Sequence, residues 1–160
     1  MRVLGIDPGL ALTGYGLVEG NGSLTLLEMG SITTPSTLPL PERLKILHRE
    51  LSALLQRLRP DAVAVEELFF GKNIRTAIAV GQARGVAILA VAQAGIPLHE
   101  YTPLQVKEAL TGYGRADKQQ IQRMVCFLLG LSSPPQPDDV ADAVAVAICH
   151  LHHSKLSALI

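Results

Sequence analysis

The chain has 160 residues and 17.1 kDa, with 14 Lys and Arg matched by 14 Asp and Glu, 48% hydrophobic residues and a mean hydropathy of +0.30. That length fits one domain of about 100 to 200 residues, and an apolar chain without net charge is the opposite of the polar, highly charged signature of disorder. Neutrality also withholds the basic balance that advertises a nucleic-acid binder, while Cys126 and Cys149, isolated and outside any C-x-x-C pair, exclude a disulfide scaffold and read as small buried hydrophobes of a reducing compartment.

Residues 2–6 form a short apolar run that stops at Asp7-Pro8-Gly9, which predicts a buried strand ended by an acid and a turn. The run meets an acid too soon for a signal-peptide core. Residues 14–18 and 24–33 predict two more strands, and the turn Gly20-Asn21-Gly22 between them makes the first three an antiparallel meander. Pro35 to Pro41 reads as a connection. Beyond it, Leu44, Leu47, Leu51, Leu54, Leu55 and Leu58 recur at helical spacing, with charged residues on much of the other face. Arg59-Pro60-Asp61 ends that helix, and Ala62 to Val65, short and β-branched, predicts a buried strand that ends in Glu66-Glu67.

A second helix is predicted from about Ile74 to Ala94, with Ala77, Ala79, Gly81, Ala83, Gly85, Ala87 and Ala90 small enough to let another helix or a sheet approach closely. The stretch 77–96 is the most membrane-like, but Gln82, Arg84 and Gln93 interrupt it, and a span needs about 20 apolar residues with few or no charges. No membrane and a cytoplasmic location are therefore expected. A short strand at 98–101 follows, then helices from Pro103, from about Lys118, and from about Asp139 to His153. Strands first, then strand and helix in alternation, predict one α/β domain over residues 1–160, a mixed sheet with helices packed on it.

Three elements of this core deliver acids where burial should forbid them. Asp7 ends the first strand and Glu66 the fourth, and Asp138-Asp139-Val140-Ala141-Asp142 opens a helix that is otherwise Ala, Val and Ile. Asp139 and Asp142 share a helix face, as do Asp138 and Asp142. Capping and turn formation account for single acids here, but Asp142 lies past the capping turn, and a lone buried charge costs several kcal/mol or is neutralised. Converging carboxylates suit a hard divalent cation, Mg²⁺ or Mn²⁺. Two such ions about 4 Å apart clamp the attacking and leaving oxygens of a phosphodiester, whereas a glycosidase dyad needs only two carboxyls.

The sequence also resembles a known family over nearly its whole length. Gly5-Ile6-Asp7-Pro8-Gly9 with Thr13-Gly14-Tyr15-Gly16, Val65-Glu66 with Phe69, Gly81-Gln82-Ala83-Arg84-Gly85, Gln105-Val106-Lys107 and Ala141-Asp142-Ala143 are similar in order and spacing to RuvC-type Holliday junction resolvases. The resemblance implies an RNase H-like (retroviral integrase-like) fold, a five-stranded mixed sheet with helices on both faces. It implies that Asp7, Glu66, Asp139 and Asp142 hold Mg²⁺, with Mn²⁺ as substitute and two ions per site, Asp138 being the register alternative to Asp139. It places Lys107 and Lys118 near the scissile phosphate and Phe69 as an aromatic wedge at the junction centre. The implied activity is paired, symmetric nicking of four-way DNA junctions in recombination and repair, leaving 5′-phosphate and 3′-hydroxyl ends. The implied partners are a second copy of the chain and a branch-migration motor.

Read from the residues alone, Lys107 lies on a short amphipathic helix, and Lys118 opens a helix after the basic loop Gly112-Tyr113-Gly114-Arg115, where a phosphate can reach backbone N–H groups. Phe69 and Phe70 suggest a stacking tip. The expected DNA contacts are Phe69, Lys72, Arg75, Arg84, Lys107, Arg115 and Lys118. The small-residue helix from Ile74 either meets a second copy, as a symmetric dimer on a four-way junction requires, or packs on its own sheet. Cys149-His150-Leu151-His152-His153 has the look of a metal cluster but sits where cationic His complements the end of the last helix. The glycines of residues 5–16 match neither phosphate-binding fingerprint. Among rivals, an actin-like kinase needs a second lobe, a junction-binding module without catalysis would lack the acids, and a nuclease of RNA or hybrids is the nearer alternative. The charge balance then resolves into an acidic cleft, built by Asp7, Glu66, Glu67, Asp138, Asp139 and Asp142, within a moderately basic remainder, which predicts salt-sensitive binding.

Overall fold

The computed structural model describes residues 1–67 and 73–157. Its elements run β1 (Arg2–Asp7), β2 (Leu12–Asn21), β3 (Ser23–Thr33), α1 (Leu40–Leu58), β4 (Ala62–Glu66), α2 (Ile74–Gln93), β5 (Leu98–Tyr101), α3 (Pro103–Thr111), α4 (Lys118–Leu129) and α5 (Asp138–Ser157). The predicted meander is present: β1 pairs antiparallel with β2, and β2 with β3. β4 then inserts parallel between β1 and β5, giving a five-stranded mixed sheet of order β3-β2-β1-β4-β5.

Side-chain alternation sorts the strands into two layers. Leu4, Ile6, Leu17, Val63 and Val65 face Leu47, Leu51 and Leu55 of α1 and Ala83, Ala87 and Val91 of α2. Val3, Val18, Ala64 and Tyr101 face the other way, onto Val106, Leu110, Ile121, Val125, Val144 and Ile148 of α3, α4 and α5. Each fully buried aliphatic side chain contributes about 1.5–3 kcal/mol. A central strand such as β1, buried on both faces, therefore reads as a continuous apolar run.

The seat of α5 is unusual. Gly5, Gly14 and Gly16 present bare backbone to it. A Cβ on Gly5 would overlap the carbonyl of Ala143, and one on Gly14 the carbonyl of Asp139. The helix consequently rests on the backbone of β1 and β2, and Val140 to Leu151 are buried apart from Asp142, which is half-buried. This is the role of Gly5, Gly14 and Gly16, and no motif match hinted at it.

Three boundaries differ from expectation. β2 runs over Leu12–Asn21, beyond the predicted 14–18, so Gly20 and Asn21 of the predicted turn are paired with β3 and the chain reverses at Gly22. α1 begins at Leu40, inside the predicted Pro35–Pro41 connection, because Pro41 falls in the first turn, where its missing N–H has no helical partner to lose. α5 runs on to Ser157, so its histidines lie in the body of the helix. α2 is long and apolar enough by composition to cross a membrane. One of its faces is nevertheless buried against the sheet and α1, through Ala83, Ala87, Ala90 and Val91.

Candidate active site

The register of the parallel pair brings the strand-end acids abreast. Ile6 lies opposite Val65, so Asp7 and Glu66 are the next residues at the same edge of the sheet. Alternation sends both side chains to the α5 face, since Ile6 and Val65 point into the opposite layer. From above, the first turn and a half of α5 lowers Asp139 and Asp142 toward them. Asp139 lies beside Asp7, and the charges of Asp142, Asp139 and Glu66 all act on the Asp7 carboxyl.

The electrostatic consequence is large. Burial, followed by the charges of Asp142, Asp139 and Glu66, pushes Asp7 up to about 8. Burial and Asp142 raise Glu66, against the lowering effect of Lys107. Burial likewise raises Asp142, with Lys118 opposing. Asp138 points elsewhere. Its carboxylate accepts from Lys118 Nζ at 2.9 Å and from Gln122 Nε2 at 3.3 Å, and the Lys118 hydrogen bond holds it below the ordinary carboxylate range. Of the two register candidates, the structure turns Asp139 toward Asp7 and Asp138 toward α4.

Lys118 is fixed by helix capping. Asp117 accepts from Gln120 N–H while the Gln120 side chain accepts from Asp117 N–H, a reciprocal box that makes Lys118 the first residue of α4. From there its ammonium reaches Asp138 and, at 3.7 Å, Asp142. The same kind of box, Thr102 with Gln105, starts α3 and sets Lys107 on its inner side. Together these elements enclose a cleft of about 280 Å³ lined by Glu66, Lys107, Lys118 and Asp142 over an apolar floor of Val106, Ile121 and Ala145. A larger cavity of about 810 Å³, lined by Arg57, Arg59, Pro60 and Ile96, lies at the opposite ends of β4 and β5, away from all four acids.

The donor set suits a hard divalent cation. It consists of four carboxylates, three of them with raised pKa from burial and mutual repulsion, and a cation relieves both causes. Among the described residues, no three His, Cys, Asp or Glu side chains stand in a closed ligating arrangement.

The remaining expectations sort by position. Arg75 is exposed at the start of α2, beside a cavity lined by Leu10, Leu40 and Ile78, and Arg115 is exposed in the loop between α3 and α4. Phe69 and Lys72 lie outside the described residues. Arg84 corrects the reading of it as a surface DNA contact. Its guanidinium is turned inward, onto the Glu66 carbonyl and the Glu100 carboxylate. The histidines correct another. His150 is buried in the body of α5 with Nδ1 2.6 Å from Tyr101 Oη and its ring 4.2 Å from that of His99. Burial, with the neighbouring charges of His99 and His153, lowers it to about 4, so it is neutral and is no cationic helix terminus. Cys149 is buried as expected, its thiol pushed up to about 12 by desolvation, and Cys126 is half-buried.

Known proteins match both sequence and architecture. The family model described as crossover junction endodeoxyribonuclease RuvC matches residues 3–150. A protein named crossover junction endodeoxyribonuclease RuvC from Chloroflexus aurantiacus is 62% identical over 153 residues, 95% of this chain and 93% of the relative. The solved structure of Thermus thermophilus RuvC in complex with Holliday junction substrate superposes with a TM-score of 0.92 at 40% identity, over 98% of this chain and 96% of that one. The yeast mitochondrial Holliday junction resolvase, at 15% identity and a TM-score of 0.69, covers 98% of this chain and 82% of that one and shares the fold.

Proposed function

Because this chain belongs to the RuvC family of crossover junction endodeoxyribonucleases and is a Holliday junction resolvase, we propose that its reaction is divalent-metal-dependent phosphodiester hydrolysis in the cleft between β1, β4 and α5. One observation supports this above the others. The β1–β4 register sets Asp7 and Glu66 side by side, and α5, lowered onto Gly5 and Gly14, brings Asp139 and Asp142 near enough for their charges to act on Asp7.

Asp7, Glu66, Asp139 and Asp142 would hold Mg²⁺, or Mn²⁺ in its place, two ions to a site. The bound ions supply Lewis-acid polarisation of the scissile phosphate and neutralise charge developing on its oxygens. The chain's own residues do the rest. Lys107 and Lys118 flank the cleft, where their ammonium groups meet the non-bridging oxygens of the scissile phosphate. Lys118 exchanges its ion pair with Asp142 for that phosphate, while Asp138 keeps it anchored to α5. The products are a 5′-phosphate and a 3′-hydroxyl.

A four-way junction offers two equivalent strands, so two copies of the chain related by a two-fold axis fit it. The outward face of α2, where Ile74 is 74% and Ile78 is 55% exposed and Gly81 and Gly85 leave open space, is the surface for that contact. Phe69 serves as a wedge at the junction centre, and Lys72, Arg75 and Arg115 follow the arms. A branch-migration motor supplies the substrate, in the cytoplasm, during recombination and repair.

The test is an Asp7→Asn variant on synthetic four-way junctions. Mg²⁺-dependent nicking should fall by about 10²-fold or more, while junction binding in EDTA persists. Nicking at the parental rate would remove the metal assignment. A four-way junction should also outcompete linear duplex and RNA–DNA hybrid of equal length, and preference for the hybrid would favour an RNase H-type substrate.

A further inference from the structure

Arg84 projects from the middle of α2, on the face of the sheet opposite α5, and its side chain is 12% exposed. One arm of the guanidinium donates to the carbonyl oxygen of Glu66 at 2.9 Å, and the other lies 2.8 Å from Glu100 Oε2. Glu66 is the last residue of β4, and immediately beyond it the strand is held to β5 by Glu67 N–H donating to the Tyr101 carbonyl at 2.7 Å. Val65 faces the Arg84 side, so the Glu66 carboxylate leaves the strand on the far side, toward Asp7 and Asp142. The guanidinium therefore grips the Glu66 peptide from behind while its carboxylate faces the cleft.

We infer that Arg84 is a positioning residue of the metal centre, fixing the Glu66 peptide and through it the direction of the Glu66 carboxylate, with Glu100 holding the guanidinium in place. A planar fork with two separate acceptors defines orientation in a way that a point charge does not. An ion pair with Glu100 alone would need only an ammonium, whereas the second arm on a strand-end carbonyl needs the fork. Hydrogen-bonding partners that orient metal ligands change metal affinity by about 10- to 100-fold when removed. The inference rests on the reading that Glu66 holds the metal.

The test compares R84Q, R84K and E66Q with the parent chain by four readouts. These are Mn²⁺ binding to the free protein, followed by the resonance of unbound Mn²⁺; half-saturating Mg²⁺ for nicking; junction affinity in EDTA as a function of salt; and the thermal midpoint. R84Q should weaken Mn²⁺ binding and raise half-saturating Mg²⁺ by about 10-fold or more, with junction affinity in EDTA and its salt slope unchanged. R84K, which keeps the charge and loses the fork, should recover only part of the metal affinity, and it carries the test if R84Q does not fold. Weaker junction binding in EDTA with a salt slope reduced by about one would make Arg84 a phosphate contact and overturn the inference. A lower thermal midpoint with metal binding unchanged would reduce it to scaffold and overturn it equally. If E66Q weakens Mn²⁺ binding and R84Q does not, the inference alone falls. If E66Q leaves Mn²⁺ binding intact, the assignment of Glu66 as a ligand falls, and the inference with it.

Discussion

Helices α2 and α5 have the same length, 20 residues, and are both rich in Ala, Val and Ile, yet α2 leaves Ile74, Ile78 and Leu89 at least half exposed while α5 is buried nearly throughout its middle. The difference lies beneath them. Under α2 the sheet offers Leu4, Ile6, Val63 and Val65, whose side chains hold the helix off and let only the stripe Ala83, Ala87, Ala90 and Val91 make contact. Under α5 it offers glycine, so the backbones nearly touch. A small-residue helix lets a neighbour come close; the surface it meets decides which one does.

The largest effect that can break this comparison comes from filling the glycine floor. Gly5→Val should destabilise the protein by about 4 kcal/mol or more, because the clash is with backbone that has nowhere to move. Denaturation curves measure it, and a loss below about 1 kcal/mol would mean that α5 has room to rise. The charges confined under α5 give the next effect. Asp7 is shifted from 3.8 to about 8 in the folded chain, so the native state keeps a proton that the unfolded chain releases. In EDTA, stability should therefore fall by a few kcal/mol, on the order of 2–4, as pH rises from about 4 to 8, and level off above 8. Asp7→Asn should remove most of that slope, leaving the part that the raised Glu66 and Asp142 carboxyls contribute, and be more stable than the parent at pH 9, the reverse of its effect on nicking.

His150 gives a smaller slope of opposite sign. It is lowered from 6.5 to about 4, so between these values the unfolded chain takes up a proton that the native state refuses. Stability should drop by about 2–3 kcal/mol as pH falls from 7 to 4, most clearly in the Asp7→Asn background. An NMR titration with a His150 midpoint near 6.5 would contradict it. Last comes α2. A Cβ at Gly81 meets nothing within 4 Å, so Gly81→Ala should stabilise the isolated chain by up to about 1 kcal/mol through helix propensity. If a second copy packs on that face, sedimentation should show a weaker dimer in the same variant.

Most of the fold was legible in the sequence because periodicity is a strong signal. The apolar runs at 2–6 and 62–65 and the Leu spacing from 44 to 58 each correspond to an element, and the Gly-Asn-Gly signal marks the β2–β3 reversal, which narrows to Gly22. The acids Asp7 and Glu66 stood out for the same reason, since a charge directly after a buried strand is anomalous. What periodicity does not carry is orientation across space. Arg84 looked like any cation on a helix, and only the placement of Glu66 and Glu100 turns it inward. His150 looked like part of a terminal cluster because the helix runs on past it to Ser157. Gly14 and Gly16 did carry a readable signal, since glycines two apart in a strand leave one face bare. The start of α1 was obscured by Pro41, a helix breaker everywhere except the first turn.

The four acids come from positions 7, 66, 139 and 142, and the last two arrive on α5, the last helix among the described residues. Synthesis from the N-terminus therefore completes the sheet and both helices of the α1–α2 layer before any of the α5 acids exists, and a chain that stops short of Asp138 displays only Asp7 and Glu66 beneath an uncovered apolar face. Since domains assemble as units once their sequence is complete, the ability to cut DNA waits for the synthesis of α5. An unfinished chain on the ribosome is then a handling problem for chaperones, and not a nuclease at large.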